Sequence, residues 1–373
     1  MSELVLYRKY RPKSFDEVVG QHHVTDAIQN AIRMNRVAHA YLFSGPRGVG
    51  KTTVARLIAK ALNCDAQGDR PCNKCQFCLD FNEGRAFDVI EIDAASNRGV
   101  DDIRELREGV RHVPTQGKYK TYIIDEVHQM TKDAFNALLK TLEEPPAHAV
   151  FILATTEFEK VLPTIVSRTQ HYDFRRPSVR DIAARLVGIA KKDGVALDDD
   201  GARIVAIAAE GSFRDAESIL GQIMAVEDKK ITREEVEHIL GLPRREAAKK
   251  MFEHIAKKDV AASLALVEEL HDSGYDLSYF SKLLMQYFRA AMFLKADPAL
   301  KRFVEADLLP DESECIAAHL ASFGPGELSR AMTVISQNMQ QFKKTPIPQL
   351  PLELTVMELA SRSSGNAAPS AAV

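Results

Sequence analysis

The chain has 373 residues, of which 45% are hydrophobic and 27% are charged, and its formal net charge at pH 7 is −3. That length exceeds the roughly 100 to 200 residues of a usual single domain, so two or three domains are expected. No apolar run approaches the ~18 residues of a membrane span, and the N-terminus lacks the apolar stretch of a secretory signal, so we expect a cytoplasmic protein without a membrane partner. The slightly negative charge excludes a surface coated everywhere with phosphate-binding cations and restricts any nucleic-acid contact to a local patch.

Short apolar runs alternate with helical patterns between residues 37 and 178, which predicts a parallel sheet covered by helices. The predicted strands are residues 39–43, 87–92, 120–125, 149–153 and 170–174. After residue 178 the pattern becomes helical, and Pro243 marks a further boundary before longer amphipathic stretches. We therefore predict an α/β domain at 1–178, a small helical domain at 179–242, an all-helical domain at 243–360 and a flexible polar segment at 361–373.

A phosphate-binding loop is predicted between the first strand and the next helical run, where the sequence reads Gly45-Pro46-Arg47-Gly48-Val49-Gly50-Lys51-Thr52. The glycines let successive backbone N–H groups face phosphates at a helix N-terminus. Lys51 supplies positive charge, and the Thr52 hydroxyl is a candidate Mg²⁺ ligand. The alternative, a chance glycine-rich turn, does not account for the strand before the motif and the helix after it.

Two acidic residues follow the third predicted strand, which reads Tyr122-Ile123-Ile124-Asp125-Glu126 at its end. Asp125 is predicted to hold Mg²⁺ through water. Glu126 is predicted to polarise the attacking water as a general base. The alternative interpretation is a pair of surface acids that simply end a strand.

Two arginines are candidates for phosphate contacts. Ser212 and Asp215 predict a helix N-cap with a capping box, which places Arg214 in the first helical turn. The helix dipole disfavours a cation there by ~0.3–1 kcal/mol, so an anionic partner such as the γ-phosphate of ATP is indicated, the alternative being a solvated arginine. Arg168 precedes the fifth strand and is expected at a domain edge, where it could reach the ATP of a neighbouring subunit. From the residues alone, a surface salt bridge is the favoured interpretation of Arg168.

Four of the five cysteines form a C-x7-C-x2-C-x2-C cluster, Cys64, Cys72, Cys75 and Cys78, whereas Cys315 stands apart. This spacing is compact enough to surround one tetrahedral zinc ion, and with four protein ligands the site would be structural. An iron–sulfur run would continue with x3-C-P, but no further cysteine follows Cys78 nearby. Free buried thiols are the remaining alternative.

In their order and spacing these motifs resemble the AAA+ ATPases. Over residues 4–242 they resemble more closely the tau/gamma family of bacterial DNA polymerase III clamp loaders. Besides the phosphate-binding loop and the cysteine insert, the segments that carry the resemblance are residues 7–12, 18–21, 91–96, 125–128, 136–146, 154–157 and 210–216. One departure is Ser167-Arg168-Thr169, where the family usually has Ser-Arg-Cys.

The resemblance implies a P-loop AAA+ domain with a five-stranded parallel sheet, a helical lid and an all-α collar domain. It also implies a pentamer with delta, delta prime and further copies of this chain, which binds ATP, grips primer–template DNA regardless of sequence, opens the ring-shaped sliding clamp and releases it on hydrolysis. By the same resemblance, Thr156 and Arg214 would sense the γ-phosphate, Arg168 would reach the ATP of the preceding subunit, and the cysteine insert would be a zinc module without a catalytic part. The implied nucleotide-binding residues are Tyr7, Arg11, Pro12, Val19, Gly45, Pro46, Arg47, Gly48, Val49, Gly50, Lys51, Thr52, Thr53 and Asp125.

DNA contacts are less well specified. The resemblance points to Arg98, Thr131 and Thr164. Spacing alone favours a salt-bridged helix face formed by Arg98, Asp101, Asp102, Arg104, Glu105, Arg107, Glu108, Arg111 and Lys118. Phosphate contacts of this kind should weaken with salt.

Two other functions fit the sequence less well. A branch migration helicase of the same superfamily lacks this cysteine insert. A non-catalytic scaffold would not need the intact set of Lys51, Thr52, Asp125 and Glu126.

Overall fold

The computed structural model describes residues 5–96, 106, 108–226, 229–243, 245–304, 308–342 and 344–361. The described residues divide into two compact units, one within Met1–Lys192 and Ala208–Ala225, the other within Asp193–Ile207 and Val226–Val373. The domain limits expected at residues 178, 242 and 360 stay predictions. Residues 362–373 of the predicted flexible segment lie outside the described residues. Within the described ranges, no helix combines the length and the apolar character needed to traverse a bilayer.

A five-stranded parallel sheet forms the centre of the first unit. Its strands are β1 (Ala40–Ser44), β2 (Val89–Asp93), β3 (Lys120–Asp125), β4 (Ala149–Thr155) and β5 (Gln170–Asp173). Their spatial order is β2-β3-β4-β1-β5. The number of strands is as predicted, and each boundary lies within two residues of its predicted position.

The helices, in chain order, are α1 (Leu6–Lys9), α2 (His22–Arg33), α3 (Lys51–Leu62), α4 (Gln76–Asn82), α5 (Lys132–Glu143), α6 (Pro163–Val166), α7 (Val179–Lys192), α8 (Asp199–Ala208), α9 (Phe213–Met224), α10 (Arg233–Ile239), α11 (Arg245–Ala256), α12 (Val260–Asp272), α13 (Leu277–Ala296), α14 (Pro310–His319), α15 (Glu327–Met339) and α16 (Leu350–Ala360). Several begin at a side-chain cap that the sequence supplies. For example, the Thr131 side chain accepts a hydrogen bond from the amide of Ala134 at the start of α5 (3.3 Å).

Alternate side chains of the central strands pack against opposite layers of helices. Tyr41 and Phe43 of β1 belong to a core with α2 and α3, whereas Leu42, between them, belongs to a core with α5. Both faces are therefore covered, and every residue of β1 and β4 is buried. This explains why their sequences are nearly continuous apolar runs. Burying each large apolar side chain stabilises the fold by ~1.5–3 kcal/mol.

The strand register brings polar residues together at the carboxyl edge of the sheet. Ser44 at the end of β1 is aligned with Thr155 of β4 and with Asp173 of β5. Asp93 of β2 is aligned with Asp125 of β3. In parallel α/β sheets ligands bind outside this edge, so the register alone locates the candidate site.

The second unit is mainly helical, and its core is rich in aromatic side chains. The sequence predicted no strands between residues 179 and 242, but β6 (Ala196–Leu197) and β7 (Lys230–Ile231) form a two-residue parallel pair. That part of the prediction was wrong, because two-residue strands are too short to produce a periodic pattern. In the core, Phe252 packs against Tyr287, Phe288 and Phe323. The apolar residues of the amphipathic C-terminal stretches lie mainly in this core.

Candidate nucleotide-binding site

The predicted phosphate-binding loop connects β1 to α3, and its close approach to neighbouring residues requires glycine. Gly45 and Gly48 have left-handed backbone conformations, with φ of 134° and 75°. A Cβ at Gly45 would lie 2.3 Å from the carbonyl oxygen of Phe174, and one at Gly48 would lie 1.9 Å from Oγ of Ser212. Neither position has room for a side chain.

Lys51, the first residue of α3, points back into the loop. Its Nζ donates hydrogen bonds to the carbonyl oxygens of Gly45 and Pro46, both at 2.7 Å. The side chain is buried, and this burial lowers the pKa of Lys51 although Glu126 and Asp125 act in the opposite direction. The ammonium group is thus held by neutral carbonyls at the place where the motif predicts phosphate.

Thr52 and Asp125 meet although they are far apart in the sequence. The Thr52 hydroxyl donates a hydrogen bond to Oδ2 of Asp125 at 2.7 Å. One side chain lies in the first turn of α3 and the other at the end of β3. A hydroxyl and a carboxylate are oxygen ligands of the kind that Mg²⁺ prefers, so this pair fits the predicted metal.

Glu126 lies just beyond β3 in a left-handed conformation, with φ of 49°. Its Oε2 accepts hydrogen bonds from the Thr156 hydroxyl (2.9 Å) and from the Thr156 amide (3.3 Å). Nδ1 of His128 lies 3.4 Å from the same oxygen and 2.9 Å from the Thr155 hydroxyl. The family resemblance implied a γ-phosphate sensor at Thr156, but nothing in the sequence indicated that His128 would be a neighbour of Glu126.

Arg214 lies in the first turn of α9, as predicted. Its guanidinium is 4.9 Å from the centre of the Tyr7 ring. Ser212 is the N-cap, and its hydroxyl accepts from the Asp215 amide at 3.2 Å. The second hydrogen bond of the predicted capping box, from the Ser212 amide to the Asp215 carboxylate, was wrong. The Ser212 amide donates instead to the carbonyl of Ala209 at 3.0 Å.

These groups surround one cavity of about 600 Å³, a volume typical of small-molecule sites. It is lined by Tyr7, Arg8, Arg11, Pro12, Val18, Val19, Arg47, Gly48, Val49, Gly50, Lys51, Thr52, Thr53, Asp93, Ala95, Asp125, Glu126, Arg185, Phe213, Arg214 and Glu217. All but two of the predicted nucleotide-binding residues are among them. The exceptions, Gly45 and Pro46, contact Lys51 through their carbonyl oxygens. The roles of these residues stay predictions.

Arg185 and Glu217 form an ion pair in the cavity wall that the sequence analysis missed. Arg185 also donates to the carbonyl of Tyr10 at 2.9 Å. Burial raises the pKa of Glu217, although the Arg185 guanidinium acts against this effect. A signal for Glu217 was present, since it lies three residues after Arg214 and therefore on the same helical face. Nothing in the sequence pointed to Arg185.

Arg168 lies away from the cavity, consistent with its expected place at an edge. Its Nη2 is 2.6 Å from Oε1 of Glu143, and its Nη1 donates to the carbonyl of Thr164 at 2.8 Å. The surface salt bridge favoured by the residues alone is therefore present, and action on a neighbouring subunit stays a prediction. Thr131 caps α5 and Thr164 lies in α6, and their contact with DNA stays a prediction. Arg98 and the predicted charged face at 101, 102, 104, 105 and 107 lie outside the described residues.

The four clustered cysteines converge as predicted, with their sulfur atoms within 4.8 Å of one another. Tetrahedral zinc with Zn–S distances of ~2.3 Å needs sulfur atoms roughly 3.8 Å apart, so the cluster fits the ion. The amides of Lys74 and Cys75 donate to Sγ of Cys72 at 3.4 and 3.3 Å, and these bonds lower the pKa of Cys72 to about 6. Cys315 lies in the second unit beside Glu253.

Two family models match the chain: "DNA polymerase III, delta subunit" over residues 20–178 and "DNA polymerase III subunits gamma and tau domain III" over residues 231–372. DNA polymerase III subunit tau of Bacillus subtilis is 39% identical over 99% of this chain, which spans 65% of the length of that relative. DNA polymerase III subunit gamma of Buchnera aphidicola is 38% identical over 80% of this chain and 83% of its own length.

Among solved structures, the Thermotoga maritima RuvB Holliday junction branch migration motor is similar over 66% of this chain and 78% of its own, with 20% identity and a TM-score of 0.47. The two DNA polymerase III subunits match 99% and 80% of this chain at 39% and 38% identity. The chain therefore belongs to the gamma/tau subunit family of DNA polymerase III.

Proposed function

We propose that this chain is the ATP-hydrolysing motor subunit of a DNA polymerase III clamp loader, which opens the sliding clamp and loads it onto primed DNA. The observation that carries the proposal is the convergence of Lys51, Thr52, Asp125 and Glu126 on one cavity. Membership of the gamma/tau family supports the same function.

ATP binding would engage the loop that begins at Gly45. The backbone amides before α3 and the Lys51 ammonium would face the phosphates, in place of the carbonyl contacts that Lys51 makes now. Tyr7, Arg11, Pro12 and Val19 would enclose the adenine end of the nucleotide. Thr52 and Asp125 would hold Mg²⁺, which supplies positive charge to the phosphates.

Hydrolysis would depend on Glu126 as the general base that orients and polarises the attacking water. Thr156 holds one oxygen of that carboxylate and is the proposed sensor of the γ-phosphate. Arg214 is the proposed second sensor on the lid. Arg168 is the proposed contact with the ATP of an adjacent subunit, for which it would have to leave Glu143.

The proposed partners are delta, delta prime, further copies of this chain, the sliding clamp and primer–template DNA bound without regard to sequence. We also propose that the cysteine cluster holds structural zinc and that the protein works in the cytoplasm. A non-catalytic scaffold is disfavoured, because the four residues that hydrolysis requires are present and lie together.

The proposal is tested by measuring ATP hydrolysis by the chain assembled with its partner subunits, with sliding clamp and primed DNA added separately and together. Joint stimulation is expected, and its absence would refute the motor function. Glu126→Gln should retain ATP binding and lower turnover by ~10²–10⁴-fold, as expected for loss of a general base. Glu159→Gln is the matched control, since this nearby acid is exposed and does not line the cavity.

A further inference from the structure

A buried lysine on α3 joins three separate segments of the first unit. Lys60 is 1% exposed, and its Nζ donates hydrogen bonds to the carbonyl of Lys13 (3.1 Å), to Oδ1 of Asn82 (2.8 Å) and to Oδ1 of Asn73. An ammonium group has three N–H donors, so all three have acceptors. None of these acceptors is a carboxylate, and burial of such a cation is costly. A positioning role would account for a buried cation at this place.

One of the three segments is the loop of the cysteine cluster. Asn73 lies between the clustered residues Cys72 and Cys75 and has a left-handed backbone, with φ of 59°. Its Nδ2 donates to the Lys13 carbonyl at 3.0 Å, the same oxygen that accepts from Lys60. Asn73 of the loop and Lys60 of α3 therefore both donate to the carbonyl oxygen of Lys13.

Lys13 is located between two stretches of the wall of the nucleotide cavity. Arg11 and Pro12 precede it, and Val18 and Val19 follow it. Its own amide donates to Oε2 of Glu17 at 2.7 Å, which closes the short turn between the two stretches. A shift of the Lys13 carbonyl would therefore move both stretches of the cavity wall, the one before Lys13 and the one after it.

The helix that carries Lys60 is also connected to both sites. α3 starts with Lys51 in the phosphate-binding loop, and Cys64 follows two residues after its end. On its surface Phe81 of α4 lies below the cationic groups of Arg56 and Lys60, 4.9 and 5.8 Å from the ring centre. The cluster is thus packed against the same helix that opens the phosphate site.

We propose that the cysteine-cluster loop positions the N-terminal wall of the nucleotide cavity through Asn73 and Lys60, so that zinc at the cluster increases nucleotide affinity. Zinc would fix the loop that contains Asn73, and a tetrathiolate zinc centre adds net negative charge near the Lys60 ammonium. Asn73 and Lys60 are positioning residues, since neither lines the cavity. The inference rests on the proposed binding of ATP in that cavity.

The test compares Lys60→Met with Lys74→Met, the same substitution at an exposed lysine beside Asn73. A fluorescent ATP analogue gives the Kd, and turnover of ATP by the assembled complex gives KM and kcat. Lys60→Met removes all three hydrogen bonds, and the resulting displacement of the cavity wall should weaken binding by about 5- to 30-fold. KM should rise with Kd, whereas kcat at saturating ATP should stay within about twofold, because the groups around Glu126 are untouched. Zinc content should equal that of Lys74→Met.

A second variant keeps the inference testable if Lys60→Met does not fold. Asn73→Gly removes both side-chain contacts at a backbone conformation that glycine adopts freely, and it should weaken binding to a similar extent. Removing zinc with a chelator should weaken ATP binding by the unaltered chain. In Lys60→Met and Asn73→Gly, zinc removal should weaken binding less than it does in the unaltered chain, because changes along one chain of contacts are not additive.

The inference would be overturned if whichever of Lys60→Met and Asn73→Gly folds, as shown by its melting temperature, binds the analogue as tightly as Lys74→Met. A chain with native sequence that binds no nucleotide would instead refute the proposed function. The two failures are therefore distinguishable.

Discussion

The hydroxyl of Thr156 donates a 2.9 Å hydrogen bond to Oε2 of Glu126, which ties the end of β4 to the acid that follows β3. Since the two strands are neighbours in the sheet, this bond fixes the carboxylate relative to two buried elements. The carboxylate of the proposed general base is therefore held by the protein's own residues.

Thr156→Val should lower kcat for ATP hydrolysis by about tenfold or more, because a hydrogen bond to a charged group contributes ~1.5–3 kcal/mol. The Kd for ATP should change much less than kcat, since Thr156 does not line the cavity and would act on the γ-phosphate through Glu126. Steady-state turnover together with nucleotide titration separates the two effects. Thr156→Ser keeps the hydroxyl and is the control. Equal loss of turnover in the valine and serine variants would contradict the role of the hydrogen bond.

Substitution of Arg168 tests whether this arginine acts on the ATP of a neighbouring subunit. Arg168→Ala should leave the Kd of the chain's own site unchanged, because the guanidinium lies outside the cavity against Glu143. In the assembled complex it should reduce turnover by up to ~10³-fold, the lower part of the range for an arginine supplied to a neighbour's phosphate. Assemblies that contain both Arg168→Ala and Glu126→Gln chains should recover part of the turnover at mixed interfaces. No recovery at any mixing ratio would exclude action on a neighbour.

The carboxylate of Asp88 should contribute to the stability of the first unit in a pH-dependent way. It is 1% exposed, and its oxygens accept hydrogen bonds from the amides of Thr115 (2.7 Å), Gln116 (2.6 Å) and Gly117 (2.7 Å). Burial acts to raise the pKa of Asp88, but these bonds outweigh it and leave the pKa below its usual value. The stabilisation is therefore fully present above the unfolded-state pKa of ~3.9 and is lost as pH falls through the lower folded-state pKa.

Asp88→Asn should lower the free energy of unfolding by about 1–3 kcal/mol at pH 7, because an amide nitrogen would face backbone donors. The difference from the unaltered chain should shrink as the pH is lowered from 6 towards 3. Denaturant unfolding at several pH values measures it. Asp65→Asn, at an exposed position of the same unit, should have little effect at any pH. A difference that is constant with pH would contradict the assignment to ionised Asp88.

The second unit contains a buried ion pair whose removal should be costly. Nε and Nη2 of Arg245 lie 2.6 and 2.8 Å from the two carboxylate oxygens of Glu312, and their side chains are 3% and 1% exposed. Glu312→Ala leaves a buried guanidinium without this carboxylate and should cost about 3–5 kcal/mol. Glu246→Ala, which removes an exposed pair with Lys249, should cost at most ~1 kcal/mol. Thermal or denaturant unfolding of the second unit distinguishes them.

A double variant separates the effect of an unpaired charge from that of lost packing. Arg245→Met combined with Glu312→Leu should be more stable than Glu312→Ala alone, since no buried charge remains. If Glu312→Ala were no more destabilising than Glu246→Ala, the buried pair would not contribute as described.

The strands and the phosphate-binding loop were predictable because their signals are local. The apolar run of β4 and the glycines of the loop depend on residues a few positions apart. Pairing of Thr52 with Asp125 followed from recognising two motifs of one family. The contacts of Lys60 and of Arg185 were not predictable, because their partners are distant in the sequence and include backbone carbonyls, for which no residue type is a signal. β6 and β7 were missed because two residues carry no periodicity.

Gly48 lies so close to Ser212 that no free space separates the phosphate-binding loop from the start of α9. The Gly48 carbonyl also accepts a hydrogen bond from the Phe213 amide at 3.0 Å. Any inward or outward displacement of the loop must therefore be matched by α9, which carries Arg214 one residue further on. The loop and the start of α9 are therefore coupled to each other. A larger side chain at Gly48 or at Ser212 would therefore displace the phosphate-binding loop and α9 together.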